Sequence, residues 1–189
     1  MHRQDFKKII KECKSYAVAL TLFSSLLSAS TNLNYSKLSK HAGMSHIEMK
    51  KVIKKLVKIE SPRGSYTAKN KSGAYGLYQI MPKTAKYYTK KLKIPHYKWK
   101  HPRNQDRIFT ALMRDNISIL KKNGIAINAF SLYGTHQQGA GGFNMIIKNK
   151  KLSKNIERNL RHNLPRKYKY VSGIALRNAW IKFWKKRFA

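Results

Sequence analysis

The chain has 189 residues, 42% of them hydrophobic and 11% aromatic, which is enough for one folded domain and excludes a disordered chain. Its 41 Lys and Arg against 7 Asp and Glu give a formal charge of +34, so nucleic acid, anionic lipid and anionic wall polymers all qualify as attracted species. The single cysteine, Cys13, excludes an intrachain disulfide and a cysteine-based metal site, and no metal or other cofactor is expected.

Met1 to Lys14 carries five Lys or Arg against two acids, Tyr16 to Leu27 is mostly apolar, and Ser28-Ala29-Ser30 follows as a small-x-small site. That order matches a secretory signal peptide over residues 1–30, and the run is too short to span a bilayer. An ordinary buried N-terminal helix is the competing reading. Residues 31–189 then form one domain, and the polar stretch Thr31 to Gly43 reads as loosely structured.

A helix start follows. Ser45 and Glu48 are spaced as a capping box, with Met44 and Met49 spaced as a hydrophobic staple. Met49, Val52, Ile53, Leu56 and Val57 repeat at helical spacing with lysines between them, and continuing the stripe lands on Glu60. A carboxylate thus falls where a core aliphatic is expected, in a chain with few acids to place. Pro62 stops the helix.

Residues 61–81 are rich in Gly, Ser, Tyr and Asn and read as a long loop or short irregular strands. Pro82 opens a helix running to about Leu92. Asp106 or Asn104 caps a third helix that ends near Gly124. Ile125 to Tyr133 reads as a short buried helix, Gly139, Gly141 and Gly142 as a turn, Ser153 to Arg161 as a helix, and about Val171 to Phe188 as the last one. No strand ladder or internal repeat is evident, so the class is mostly α.

Glu60-Ser61, then Ser72-Gly73-Ala74-Tyr75-Gly76-Leu77-Tyr78-Gln79-Ile80-Met81-Pro82 and Thr84-Ala85, resembles the soluble lytic transglycosylases and their phage relatives. There a Glu-Ser pair ends a helix, and a Gly-Leu-x-Gln-Ile-x-Pro segment follows some twenty residues later. The resemblance is strong over Lys51 to Ala85 and weaker elsewhere. It implies a lysozyme-like (goose-type) single domain acting on peptidoglycan glycan strands, with Glu60 as catalytic acid/base. It further implies that Glu60 protonates the bond between N-acetylmuramic acid and N-acetylglucosamine. Glu60 then accepts the C6 hydroxyl proton as a 1,6-anhydro ring closes. Cleavage near neutral pH requires a carboxyl held protonated by burial, which neighbours such as Leu56, Val57 and Ile59 can supply. The remaining acids beyond the expected cleavage site, Glu48, Asp106, Asp115 and Glu157, stand in no motif, which fits a mechanism needing one carboxylate rather than two.

The same resemblance assigns substrate contacts to further positions. Ser61 hydrogen-bonds near Glu60 or the acetamido group, or is a plain helix-end residue. Gly76 lets the backbone approach a sugar, or simply makes a turn. Gln79 orients sugar hydroxyls, and Tyr75 and Tyr78 stack on sugar or fill the loop. The third family element, commonly Ala-Tyr-Asn-Ala-Gly, is here Leu132-Tyr133-Gly134-Thr135-His136-Gln137-Gln138-Gly139, similar to phage-type branches. His136 and Gln137 then face the cleft, with a structural hydrogen bond as the alternative for His136. Tyr168-Lys169-Tyr170-Val171 resembles the family's Tyr-Val element, whose tyrosine hydrogen-bonds the glutamate; Tyr170 aligns with it and Tyr168 is the fallback.

The rival class is a basic binder. Tyr87-Tyr88-Thr89-Lys90-Lys91 and Trp180 to Arg187 interleave aromatics with cations, as nucleic-acid binding or a membrane-contacting helix requires. Lysines spread over the whole chain and the absence of a nucleic-acid motif weigh against it, so nucleic acid is not expected as a partner. Anionic wall or envelope polymers are the expected electrostatic partners. A hydrolysing muramidase of the same fold is the enzymatic alternative. The expected location is exported, periplasmic or wall-associated, with a phage-derived lysin or virion component as the other origin.

Overall fold

The computed structural model describes residues 35–188, so the expected signal-peptide segment 1–30 and Cys13 lie outside the described residues. Seven α-helices follow one another within it: α1 (Tyr35–Ala42), α2 (His46–Glu60), α3 (Pro82–Lys91), α4 (Pro102–Lys122), α5 (Ala129–Ile147), α6 (Lys154–His162) and α7 (Gly173–Phe188). Two 3-10 turns, His96–Lys98 and Arg166–Tyr168, sit in the connections. Helix α4 packs against α1, α3 and α5, and α5 in turn packs against α6 and α7. One apolar core runs through all of these elements. The mostly α expectation holds.

The helix α2 begins and ends as its sequence requires. The Ser45 N–H donates to Glu48 Oε2 at 2.9 Å and the Glu48 N–H to Ser45 Oγ at 3.1 Å, closing the capping box. Met49, Val52, Ile53 and Leu56 are buried along one face, and the last helical residue is Glu60.

Three expectations need correction. The stretch read as loose contains α1, because Leu38, Ser39 and Ala42 bury one short stripe that the polar residues between them obscure. It ends at Gly43 (φ 71°), where the Met44 N–H donates to Ser39 O at 3.0 Å and the Gly43 N–H to Lys40 O at 3.3 Å. That is a Schellman ending, whose left-handed residue favours glycine. Neither Asp106 nor Asn104 caps α4. Its cap position is His101 and Pro102 is the first helical residue, which leaves Asp106 a turn inside and buried.

Residues 125–142 are not a short helix followed by a separate turn. Asn128 and Ser131 form a reciprocal N-terminal cap, and the helix continues to Ile147 with one break at Gly139 (φ 70°, ψ 152°). The break is sharp. A straight helix would separate Gly134 and Phe143 by about 13 Å along its axis, yet a Cβ on Gly134 would lie 2.2 Å from the Phe143 ring. Gly139 therefore does turn the chain, while Gly141 and Gly142 are helical.

Phe143 is fully buried against Phe130 and Trp180 and has little room to retreat. Gly134→Ala should consequently destabilise the protein by about 1–3 kcal/mol through overpacking. A lowered urea midpoint with an unchanged slope would show it.

Candidate active site

Glu60 sits where α2 runs out and the 61–81 loop begins, beside a cleft of about 400 Å³. The cleft is lined by Glu60, Ser61, the loop residues from Pro62 to Asn70 except Gly64 and Tyr66, and Gln79. Glu60 is the single carboxylate among these lining residues. Burial pushes its pKa up to about 7, and a hydrogen bond from the Tyr133 hydroxyl on α5 pulls in the opposite direction. The shift brings the carboxyl much closer to neutral pH than an exposed glutamate.

The other described carboxylates are engaged elsewhere. Glu48 belongs to the capping box, whose hydrogen bonds from Ser45 lower its pKa. Asp115 pairs with Lys91 at 2.6 Å and accepts from the Tyr88 hydroxyl at 2.9 Å. Glu157 pairs with Arg161 at 3.5 Å. Asp106 is buried, and its Oδ1 accepts from the hydroxyls of Tyr66 at 2.8 Å and Tyr78 at 2.7 Å. Burial raises its pKa while the two tyrosine hydrogen bonds lower it.

The loop that carries most of the motif is almost devoid of regular strand. Two isolated bridges, Lys69 to Tyr75 and Tyr75 to Ile80, tie it to itself. Gln105 of α4 supplies the missing backbone contacts: its Oε1 accepts from the Leu77 N–H at 3.1 Å, and its Nε2 donates to Tyr66 O at 2.9 Å and Lys100 O at 2.7 Å. A Cβ on Gly76 (φ 82°) would fall 1.7 Å from Gln105 Oε1, so this position needs glycine on both counts.

The expected site residues divide into two groups. Ser61 and Gln79 line the cleft with Glu60. Ser61 is buried and is held by the turn, its Oγ accepting from the Ser65 N–H at 2.9 Å and donating to Ser65 O at 3.3 Å. Gln79 donates from Nε2 to Gly76 O at 2.9 Å and adopts a left-handed φ of 48°.

The second group lies behind the cleft, where Gly76, Tyr78 and His136 follow the structural alternative open to each. Tyr78 is buried and stacks on Phe109 with centroids 3.9 Å apart, leaving no face for a sugar. Gly76 is buried under Gln105 rather than turned to substrate. His136 braces the loop, with Nε2 3.0 Å from Tyr78 O. A carbonyl can only accept, so Nε2 carries the proton. Burial holds His136 neutral, with its pKa lowered to about 4.

Gln137 faces Tyr133 and Trp180 rather than open space. Tyr170 is 87% exposed, with Lys169 over its ring, and is not the tyrosine that meets the glutamate. That tyrosine is Tyr133. The signal for it lies in Leu132-Tyr133-Gly134, since the usual motif also has tyrosine second. Tyr168, the fallback, packs at the core edge.

The aromatic and basic stretches do not build a stacking platform. Trp180 and Trp184 are buried, and the Tyr88 hydroxyl is tied to Asp115. No helix among the described residues is long and apolar enough to cross a membrane. A larger open groove of about 590 Å³ at the start of α4 is lined by Lys98, His101, Arg103, Asn104 and Arg107, with no carboxylate.

The family model described as the transglycosylase SLT domain matches residues 37–159, well over half of the chain. The match supports a lytic-transglycosylase or lysozyme-like action on peptidoglycan. No curated protein matches the chain.

Burial of Glu60 has a consequence for stability. A carboxyl whose folded pKa is raised favours the fold fully below its unfolded pKa, and that contribution is lost as pH rises through the folded value near 7. Glu60→Gln, which never ionises, should be more stable than the native chain at pH 8 by at most about 3 kcal/mol. The advantage should shrink on acidification and vanish near pH 4, measured by urea denaturation across that range.

Proposed function

We propose that this chain, which belongs to the transglycosylase SLT-domain family, is a peptidoglycan lytic transglycosylase in which Glu60 alone serves as acid and then base. The observation that carries the reading is the raised pKa of the one carboxylate lining the cleft. In the first step neutral Glu60 gives its proton to the glycosidic oxygen, and the N-acetylglucosamine side departs as an alcohol. The acetamido carbonyl of the muramoyl sugar stabilises the cationic C1 left behind. Glu60, now a carboxylate, takes the proton of the C6 hydroxyl as that oxygen bonds to C1. One proton leaves Glu60 and one returns, so no water is consumed and no second carboxylate is required.

Two-carboxylate glycosidases place their acids across the scissile bond, about 5–9.5 Å apart. Here the facing wall of the cleft offers Ser65, Thr67, Asn70, Arg63 and Lys69 instead. These side chains suit sugar hydroxyls, amides and the carboxylates of wall peptides. Ser61 and Gln79 shape the wall from below through their backbone contacts. An exported location is the one in which this substrate is met.

The charge of +34 and the carboxylate-free groove around Arg103 and Arg107 support attraction to an anionic, insoluble wall. Such attraction acts over about a Debye length and is screened by salt. Cleavage of whole walls should then fall with added salt more steeply than cleavage of short soluble glycan fragments. Equal salt sensitivity would argue against steering.

Incubation with purified peptidoglycan should release 1,6-anhydromuropeptides, identified by mass. Products with only free reducing ends would instead support a muramidase of the same fold. Glu60→Gln should lower turnover by about 100- to 10,000-fold, in keeping with loss of a general acid/base. Because the free enzyme must hold Glu60 protonated, kcat/KM should be level below neutrality and fall as pH rises through about 7.

A further inference from the structure

Behind Glu60 lies a chain of hydrogen bonds whose direction is dictated by its far end. Trp180, fully buried on α7, donates its indole N–H to Gln137 Oε1 at 3.0 Å. An indole nitrogen can only donate, so the atom facing it must be the amide oxygen. That settles the orientation of the Gln137 amide. Its Nε2 then faces the Tyr133 hydroxyl at 2.7 Å and must donate to it. With that lone pair engaged, the single hydroxyl proton of Tyr133 is directed at the Glu60 carboxyl, to which Tyr133 is hydrogen-bonded.

We propose that Gln137 and Trp180 are positioning residues that hold the Tyr133 hydroxyl as a one-way donor to Glu60. The inference rests on the reading of Glu60 as acid/base given above. Its chemical effect is twofold. The Glu60 oxygen that accepts from Tyr133 is kept as an acceptor, so in the neutral acid the proton resides on the other oxygen. After that proton is delivered, the same donor stabilises the carboxylate that must act as base.

The Tyr133 ring is fixed as well as its hydroxyl. Phe188 stacks on it at 4.6 Å and Trp184 packs against it at 4.7 Å, both from α7. Trp180, Trp184 and Phe188 recur every fourth residue and so share a helix face. This helix lies beyond residues 37–159, the segment matched by the family model. The outer layer of this support, Trp180, Trp184 and Phe188, therefore comes from outside the matched segment. A weaker tether also holds the amide: Gln138 Nε2 donates to Gln137 Oε1 at 3.0 Å, but the oxygen of Gln138 is itself buried without a hydrogen bond.

The charged and titratable groups around this network are few. Arg187 of α7 acts on Tyr133, Lys55 of α2 lies over the Phe188 ring, and Arg63 and Lys69 stand on the cleft wall. None of them is altered by the neutral substitutions Trp180→Phe and Gln137→Met. Trp180→Phe keeps a ring in the core but removes the indole donor, and Gln137→Met keeps the length but removes the amide.

The test is the titration of the Glu60 side-chain carboxyl followed by carbon NMR in protein labelled at glutamate, with Glu60→Gln identifying the resonance. Both variants should raise the Glu60 pKa by roughly half a unit to one unit, since a donor to the charged form is weakened. Adding either substitution to Tyr133→Phe should produce no further shift, because the path to Glu60 is then already cut. The descending limb of the pH profile for wall cleavage should move with the titration. Should Trp180→Phe fail to fold, Gln137→Met alone carries the test. Folded variants with an unmoved Glu60 titration overturn the proposal. A moved titration in a protein that does not cleave peptidoglycan would leave the network standing and remove the proposed function instead.

Discussion

A carboxyl group set at the end of an apolar helical face is held between two opposing demands. Desolvation drives it toward the neutral acid, while a hydrogen-bond donor aimed at it favours the anion. Glu60 is placed by α2, whose buried face leads directly to it, and opposed by the Tyr133 hydroxyl from α5. Either influence alone would carry the group away from neutrality. Burial without a donor leaves a proton too tightly held, and several donors without burial leave an ordinary ionised glutamate. The packing of α5 against α7 fixes the Tyr133 ring, whose hydroxyl opposes the effect of burial on Glu60.

The other half of the site depends on a loop with almost no ladder of its own. Backbone groups in a partly buried loop need partners, and here they come from side chains of the helices behind. Gln105 satisfies two backbone groups of the loop, His136 a third, and Asp106 gathers two tyrosine hydroxyls. Motif residues such as Gly76 and Tyr78 thus meet the helix behind the loop rather than line the cleft. Gly76 makes room for Gln105, and Tyr78 anchors the loop on Asp106 and Phe109. What they hold in place is the wall that carries Gln79 and the polar side chains of residues 61–70.

Much of this was legible in the sequence, and the division between what was and was not has a physical cause. The position of Glu60 could be read because it depends on local periodicity, and the capping box because its two residues are three apart. The helix α1 was hidden because its stripe spans only about two turns and is diluted by Ser and Lys. Asp106 was mistaken for a cap because an acid near a helix start is so often one; that it lies under Tyr66 and Tyr78 is a tertiary fact. The exchange of Tyr170 for Tyr133 is of the same kind. Both tyrosines stand in plausible motif contexts, and only the packing of α5 beside α2 and α7 shows which one reaches the carboxyl. His136 and Gln137 carried chemistry in the sequence but spend it on Tyr78 and Tyr133.

A protein of formal charge +34 would be expected to drag every carboxylate toward ionisation, yet burial pushes the Glu60 pKa up to about 7. The resolution lies in where the cations are. Lys54, Lys55 and Lys58 occupy the exposed side of α2, with Met49, Val52, Ile53 and Leu56 on its buried side. Arg63 and Lys69 on the cleft wall are also exposed. Charges immersed in water act weakly on one another and are screened further by salt within about 8 Å at physiological ionic strength. Desolvation acts on Glu60 directly and is not screened. The surface can therefore be strongly basic while the carboxyl beside the cleft keeps its raised pKa, because the two effects operate in different media.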